Sequence, residues 1–238
     1  MTHSSSSFDA PSPQPSWPRA LWQRCRTLWL LKLAGNTVAT LGFFPLYFWV
    51  MHHAGPAWVL PLTAVDRLIA FWPAMLPVYL TLWAYIALPV LLARDRRELN
   101  TIAIGCAVMT AIALAVFWWM PTAIPNFAID AAPGSSLHFL KTFDAAGNAF
   151  PSLHVSFSVF ACMVLARQLR EAGAPGWLRL LNLAWAVAIV YSTMAVRQHV
   201  LIDVLGGLGL GLALGLALGF ALRERPSAVL APVAARAA

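Results

Sequence analysis

The chain has 238 residues, of which 60% are apolar and 11% charged, with eleven tryptophans; soluble domains carry about 25% charged residues. That balance excludes a water-soluble globule and makes lipid the expected main solvent. A formal charge of +7 would suit nucleic acid, but the basic residues are sorted along the chain by position, which argues against that partner and for membrane topology.

Residues 1–16 are polar and rich in Ser and Pro, a composition expected to remain a disordered tail. From Trp17 onward, Leu21, Trp22, Cys25, Leu28 and Trp29 recur at helical spacing among Arg19, Arg24 and Arg26. The pattern fits either a helix in the inner membrane interface or an extension of the first span. Crossing a roughly 30 Å hydrocarbon core takes about twenty apolar residues, and six stretches qualify: 33–51, 69–92, 101–120, 151–169, 178–196 and 201–222. Lys32, just before the first, is expected to snorkel toward the inner surface. The second contains Pro73, Pro77 and Pro89 and ends in the charged turn Arg94-Asp95-Arg96-Arg97-Glu98. After the third comes the longest loop, 121–150, expected to face outward with Asp130, His138, Lys141, Asp144 and Asn148.

The fold class expected is an all-α integral membrane protein, a bundle of six transmembrane helices with both termini cytoplasmic. Residues 1–27 form the tail and the possible interfacial helix, 28–222 the membrane catalytic domain, and 223–238 a cytoplasmic tail. Alternating spans put every Lys and Arg on one side except Arg67, Lys141 and Arg197, and that side is the cytoplasm. The three cysteines, Cys25, Cys106 and Cys162, imply neither a disulfide framework nor a thiol metal site. Gly207, Gly211, Gly215 and Gly219 place a small residue at every fourth position of the last span. Such a ridge permits close helix packing in lipid, and a homo-oligomer formed through it is a further expectation.

Two short stretches carry the chemistry: Asn148-Ala149-Phe150-Pro151-Ser152-Leu153-His154, and Ser192 through Asp203. Both fall on the outer side, each with a histidine at the mouth of an apolar segment. Polar and ionisable groups are costly beside hydrocarbon, so such a cluster is a functional-site hypothesis. His199 and Asp203 are four apart and share a face on a helix. The carboxylate can then orient one ring nitrogen and leave the other as nucleophile or base. His154 would protonate a leaving oxygen. Ser152 sits at a helix start, where backbone N–H groups favour anions, and Arg197 offers planar, permanently charged donors to phosphate.

The pattern Pro151-Ser152-x-His154, then Ser192-x6-His199-x3-Asp203, resembles the second and third signature motifs of the type 2 phosphatidic acid phosphatase superfamily. Asn148 to His154 and Gln198-His199-x3-Asp203-Val204-x-Gly206-Gly207 are similar, more narrowly, to the branch that includes inositol phosphorylceramide synthases. The resemblance implies that His199 is the phosphate-accepting nucleophile, Asp203 its orienting group and His154 the proton donor. It implies no cofactor and no metal. Arg197, Ser152, Ser192 and Lys141 are expected to bind phosphate, and Asp66, Arg67, Asn148 and Asp144 are secondary candidates for substrate contact.

Two departures stand out. Thr193 occupies the position where family members usually have arginine, and the first motif, Lys-x6-Arg-Pro, is absent; Trp119 and Asn126-Phe127 fall in its place. The expected activity is therefore a lipid phosphatase or phosphotransferase working at the outer face on a phospholipid or polyprenyl phosphate. A headgroup transferase of the inositol phosphorylceramide synthase type and a non-catalytic lipid carrier are the alternatives. A metal site built from His154, His199 and Asp203 is the weaker reading, because Arg197 would oppose a cation. The expected setting is a bacterial inner membrane with the site facing the periplasm.

Overall fold

The computed structural model describes residues 16–127 and 148–223. The two tails, and with them Asp130, His138, Lys141 and Asp144 of the long loop, lie outside the described residues. The elements in order are α1 (Trp17–Arg26), α2 (Trp29–His53), β1 (Trp58–Val59), α3 (Ala64–Leu68), a 3-10 turn (Pro73–Met75), α4 (Leu76–Leu80), α5 (Leu82–Leu91), α6 (Arg96–Trp119), β2 (Thr122–Ala123), α7 (Leu153–Glu171), α8 (Gly176–Ala195) and α9 (Leu201–Ala221).

Among the described residues, five segments are long and apolar enough to cross a membrane: Trp29–His53, Pro73–Leu91, Arg96–Trp119, Gly176–Ala195 and Leu201–Ala221. The sixth expected span, α7, is a continuous helix but a more polar one. Its neighbours explain this: α7 lies inside the bundle, packed most extensively on α9, then on α8 and α5. Ser156, Ser158 and Gln168 are fully buried there, each hydrogen-bonded to a backbone or side-chain partner, which is what makes their burial tolerable.

One open alternative is resolved, and two features differ from expectation. Leu28 adopts a left-handed conformation (φ 56°), so α1 is a separate helix and not an extension of the first span. The second span begins at Pro73 rather than at residue 69. Proline forces its predecessor out of the helical region, and Trp72, at φ −134°, sends its N–H to the Ala195 carbonyl at 2.9 Å. Finally, the segments after α2 and α6 pair as a two-residue parallel ladder, β1 with β2, where no strand was expected.

Lys32 does not reach water. It is 3% exposed, and its ammonium donates to the carbonyls of Arg24 (2.6 Å) and Leu91 (2.8 Å), orphan acceptors near the ends of α1 and α5. Nearby, Glu98 accepts from the Arg94 N–H (2.8 Å) and from Gln168 (3.1 Å). Glu171 meets Arg24, Arg94 and Arg167. Arg24, Lys32, Arg94 and Arg167, all sorted to one side by the sequence, thus gather at one end of the bundle. Lys32→Met is expected to leave two carbonyls without their donor and to cost about 1–3 kcal/mol, measurable as a lowered midpoint of thermal unfolding in detergent.

The glycine ridge of α9 packs within the chain. A Cβ on Gly207 would lie 2.5 Å from the Ser152 carbonyl oxygen, and one on Gly211 2.6 Å from that of Ser156. Gly215 faces Met163, while Gly219 has nothing within 4 Å. The absent side chains therefore let α9 lie against α7 near its N-terminal end, where both histidines are found.

Candidate active site

Ser152 caps α7, its Oγ accepting from the Val155 N–H at 3.2 Å, and puts His154 in the first helical turn. The second half of the site starts where α8 ends. The Arg197 N–H donates to Met194 O (3.0 Å) and the Gln198 N–H to Thr193 O (2.9 Å), the paired bonds of a Schellman motif. The left-handed position of that motif usually holds glycine. Here it holds Arg197 at φ 60°, a strain of roughly 1–3 kcal/mol for a residue with a Cβ.

The turn delivers His199 to the start of α9. Its N–H also donates to Thr193 O at 3.1 Å, which gives Thr193 a structural part through its backbone. The Asp203 carboxylate is shared: one oxygen accepts from the Val200 N–H (2.8 Å), and the other lies 2.9 Å from His199 Nδ1. Asp203 is fully buried and His199 is 7% exposed. A carboxylate beside Nδ1 favours the tautomer with its proton there, which places the lone pair on Nε2.

The two halves are joined directly. The Ser152 N–H donates to the Asp203 carbonyl at 3.0 Å, and the His154 and His199 rings lie with centroids 5.5 Å apart. Histidines 45 positions apart in the chain thus border the same space, close enough for both to reach one phosphorus and an oxygen leaving it. The other side of His154 is built by residues the motifs do not contain. Tyr79 stacks on it at 4.6 Å and Trp83 meets it edge-on at 6.1 Å. Their i, i+4 spacing, which puts two aromatics on one face, was the available signal.

Arg197 is only partly available to an anion. Its Nη1 donates to the Asp66 carbonyl (2.9 Å) and its Nη2 to that of Ile69 (2.6 Å), with Phe127 stacked 4.8 Å from the guanidinium. Ser192 and Thr193 are buried and donate to carbonyls one turn back in α8. Asn148, left-handed at φ 56°, donates to the Tyr47 carbonyl at 3.3 Å and shapes the approach to α7. Arg67 is exposed, whereas Asp66 is buried and accepts from Thr63 and from the Leu201 N–H. Trp119, in the place of the first-motif lysine, is 76% exposed.

No group of three or more His, Cys, Asp and Glu among the described residues is arranged to hold a metal ion. The site is instead a carboxylate-oriented histidine facing a second histidine within a helical, membrane-type bundle. The family comparison agrees with that class: the model of the PAP2 superfamily matches residues 45–217, and the chain belongs to this superfamily, that of the type 2 phosphatidic acid phosphatases. Its members are generally phosphatases, and membership suggests phosphatase or phosphotransferase activity on lipid phosphates. Neither the curated proteins nor the solved structures contain a match.

Proposed function

We propose that this protein cleaves or transfers a phosphoryl-bearing group from a lipid through a phosphoryl-histidine intermediate. The observation that carries the reading is the convergence of His154 and His199 at 5.5 Å, with Asp203 on the far nitrogen of His199. In the first half-reaction His199 Nε2 attacks phosphorus. The P–O bond to the lipid breaks as His154 passes its proton to the departing oxygen. In the second, water or an alcohol attacks the same phosphorus and gives its proton to His154 while the P–N bond breaks, restoring both rings.

Charge that develops on the phosphoryl oxygens would be met by fixed donors. Those at hand are the N–H groups opening α7 beside Ser152 and the donors of Arg197 not used on Asp66 and Ile69; Lys141, outside the described residues, is proposed as a further cation. With the first-motif cations replaced by Trp119, Asn126 and Phe127, the donor set suits a substrate of lower phosphate charge. A phosphodiester is such a substrate, which favours headgroup transfer to an alcohol as the second reading.

A cavity of about 540 Å³ between α2, α5 and α6 supports a lipid as substrate. Gly35, Ala39, Phe43, Cys106, Trp83 and Phe157 line it, and Trp83 also meets His154 edge-on. The charge sorting supports a site on the outer face, in a bacterial cell the periplasmic one.

The test is incubation of purified protein with a panel of labelled phospholipids and polyprenyl phosphates, with and without candidate alcohols, identifying every phosphorus-containing product. Release of inorganic phosphate supports the phosphatase. A new phosphodiester formed only when an alcohol is added supports the transferase. Lipid binding without any product would leave a carrier and overturn the enzymatic reading.

A further inference from the structure

We propose that Asp66 is a positioning residue for this reaction: through the Leu201 N–H it fixes the first turn of α9, and so the pairing of Asp203 with His199. The inference rests on the functional reading above and goes beyond the three family motifs, none of which contains Asp66. Asp66 is 2% exposed. One carboxylate oxygen is held in a capping box by the Thr63 N–H (2.8 Å) and hydroxyl (2.7 Å); the other accepts from the Leu201 N–H at 2.8 Å.

Helix N-termini leave their first N–H groups without helical partners. At the start of α9 two carboxylates serve two consecutive ones: Asp203 takes Val200, and Asp66 takes Leu201. Without Asp66, the Leu201 N–H would compete for Asp203, whose second oxygen orients His199. The same segment is fastened a second time from the opposite direction. Arg197 donates to the carbonyls of Asp66 and Ile69 and holds a left-handed conformation at φ 60° to do so. The chain from Thr63 to Ile69 therefore grips the catalytic turn on both sides of His199.

The decisive experiment compares turnover of wild type, Asp66→Ala, Asp66→Asn, Leu201→Pro and the Asp66→Ala/Leu201→Pro double variant. Asp66→Ala is expected to lower kcat about 100-fold with KM little changed, the scale on which small misplacements act. Asp66→Asn is expected to recover most of the rate, because its one carbonyl oxygen still serves Leu201 and the Thr63 hydroxyl can accept from its amide. Leu201→Pro deletes the N–H at a first helical position that suits proline, with Leu201→Ala as the control for the lost side chain, which packs against Val155, Met194 and Val204. The proline variant should lower kcat alone and add nothing in the Asp66→Ala background. Losses that add in the double variant would overturn the proposal, as would a raised KM shared by Ala and Asn or an unchanged rate in Asp66→Ala.

Should wild type itself show no turnover, the functional reading fails separately, and the coupling is read without activity. Asp66→Ala and Leu201→Pro should then move the His199 ring ¹⁵N signals. Unmoved signals in both would overturn the positioning role.

Discussion

Replacing His199 by alanine is expected to abolish turnover, lowering kcat by at least about four orders of magnitude, as loss of a covalent nucleophile does elsewhere. It should also remove all acid-labile, base-stable label from protein quenched during reaction with ³²P-labelled substrate. Asp203→Asn is expected to be nearly as damaging for a different reason. One Asp203 oxygen is committed to the Val200 N–H, so the asparagine oxygen stays there and its NH₂ faces His199 Nδ1. The proton is then driven to Nε2, the atom that must attack, a tautomer error worth about 10⁴-fold in the comparable serine-protease triad. Persistence of labelled protein in His199→Ala would show that phosphorus is attacked by something else.

The second large effect is expected at Gly207. Alanine there would place its Cβ 2.5 Å from the Ser152 carbonyl oxygen and 2.9 Å from Val155 Cβ, and the former is backbone that cannot rotate aside. The helices must part, straining the bond between Ser152 N–H and the Asp203 carbonyl and separating the two histidines. A loss of about 1–3 kcal/mol in stability is expected from overpacking, together with about 100-fold in rate from displacement of His154. Gly219→Ala is the control: nothing lies within 4 Å, and alanine favours a helix more than glycine. Thermal unfolding in detergent and turnover of the two variants should therefore diverge; equal behaviour would refute the close-approach account.

Much of this site was legible in the residues because its central relations are local. The four-residue spacing of His199 and Asp203 needs only a helix to become a hydrogen bond, and Ser152 reads as a cap from its place before an apolar run. The part that was not legible depends on partners far along the chain. Thr63-x-x-Asp66 carries a capping signature, but its other oxygen serves an N–H 135 residues away, which no pattern announces. Arg197 was expected to bind phosphate, and composition could not reveal that two of its donors are taken by backbone. The interior helix α7 illustrates the same limit for the fold. Its polarity is that of a helix surrounded by protein, and hydropathy alone cannot distinguish that from a helix ill suited to lipid.

Of the residues of α2, only Lys32 and Val50 are buried, whereas α7 and α9 are knit together by main chain beside the rings of His154 and His199. The α2 wall of the apolar cavity and the proposed catalytic centre thus lie on different helices. Substitutions at Gly35 and Ala39, on the α2 wall of the cavity, should alter which tails are admitted while leaving intrinsic chemical speed untouched, so tail-length preference and maximal velocity become independently adjustable traits.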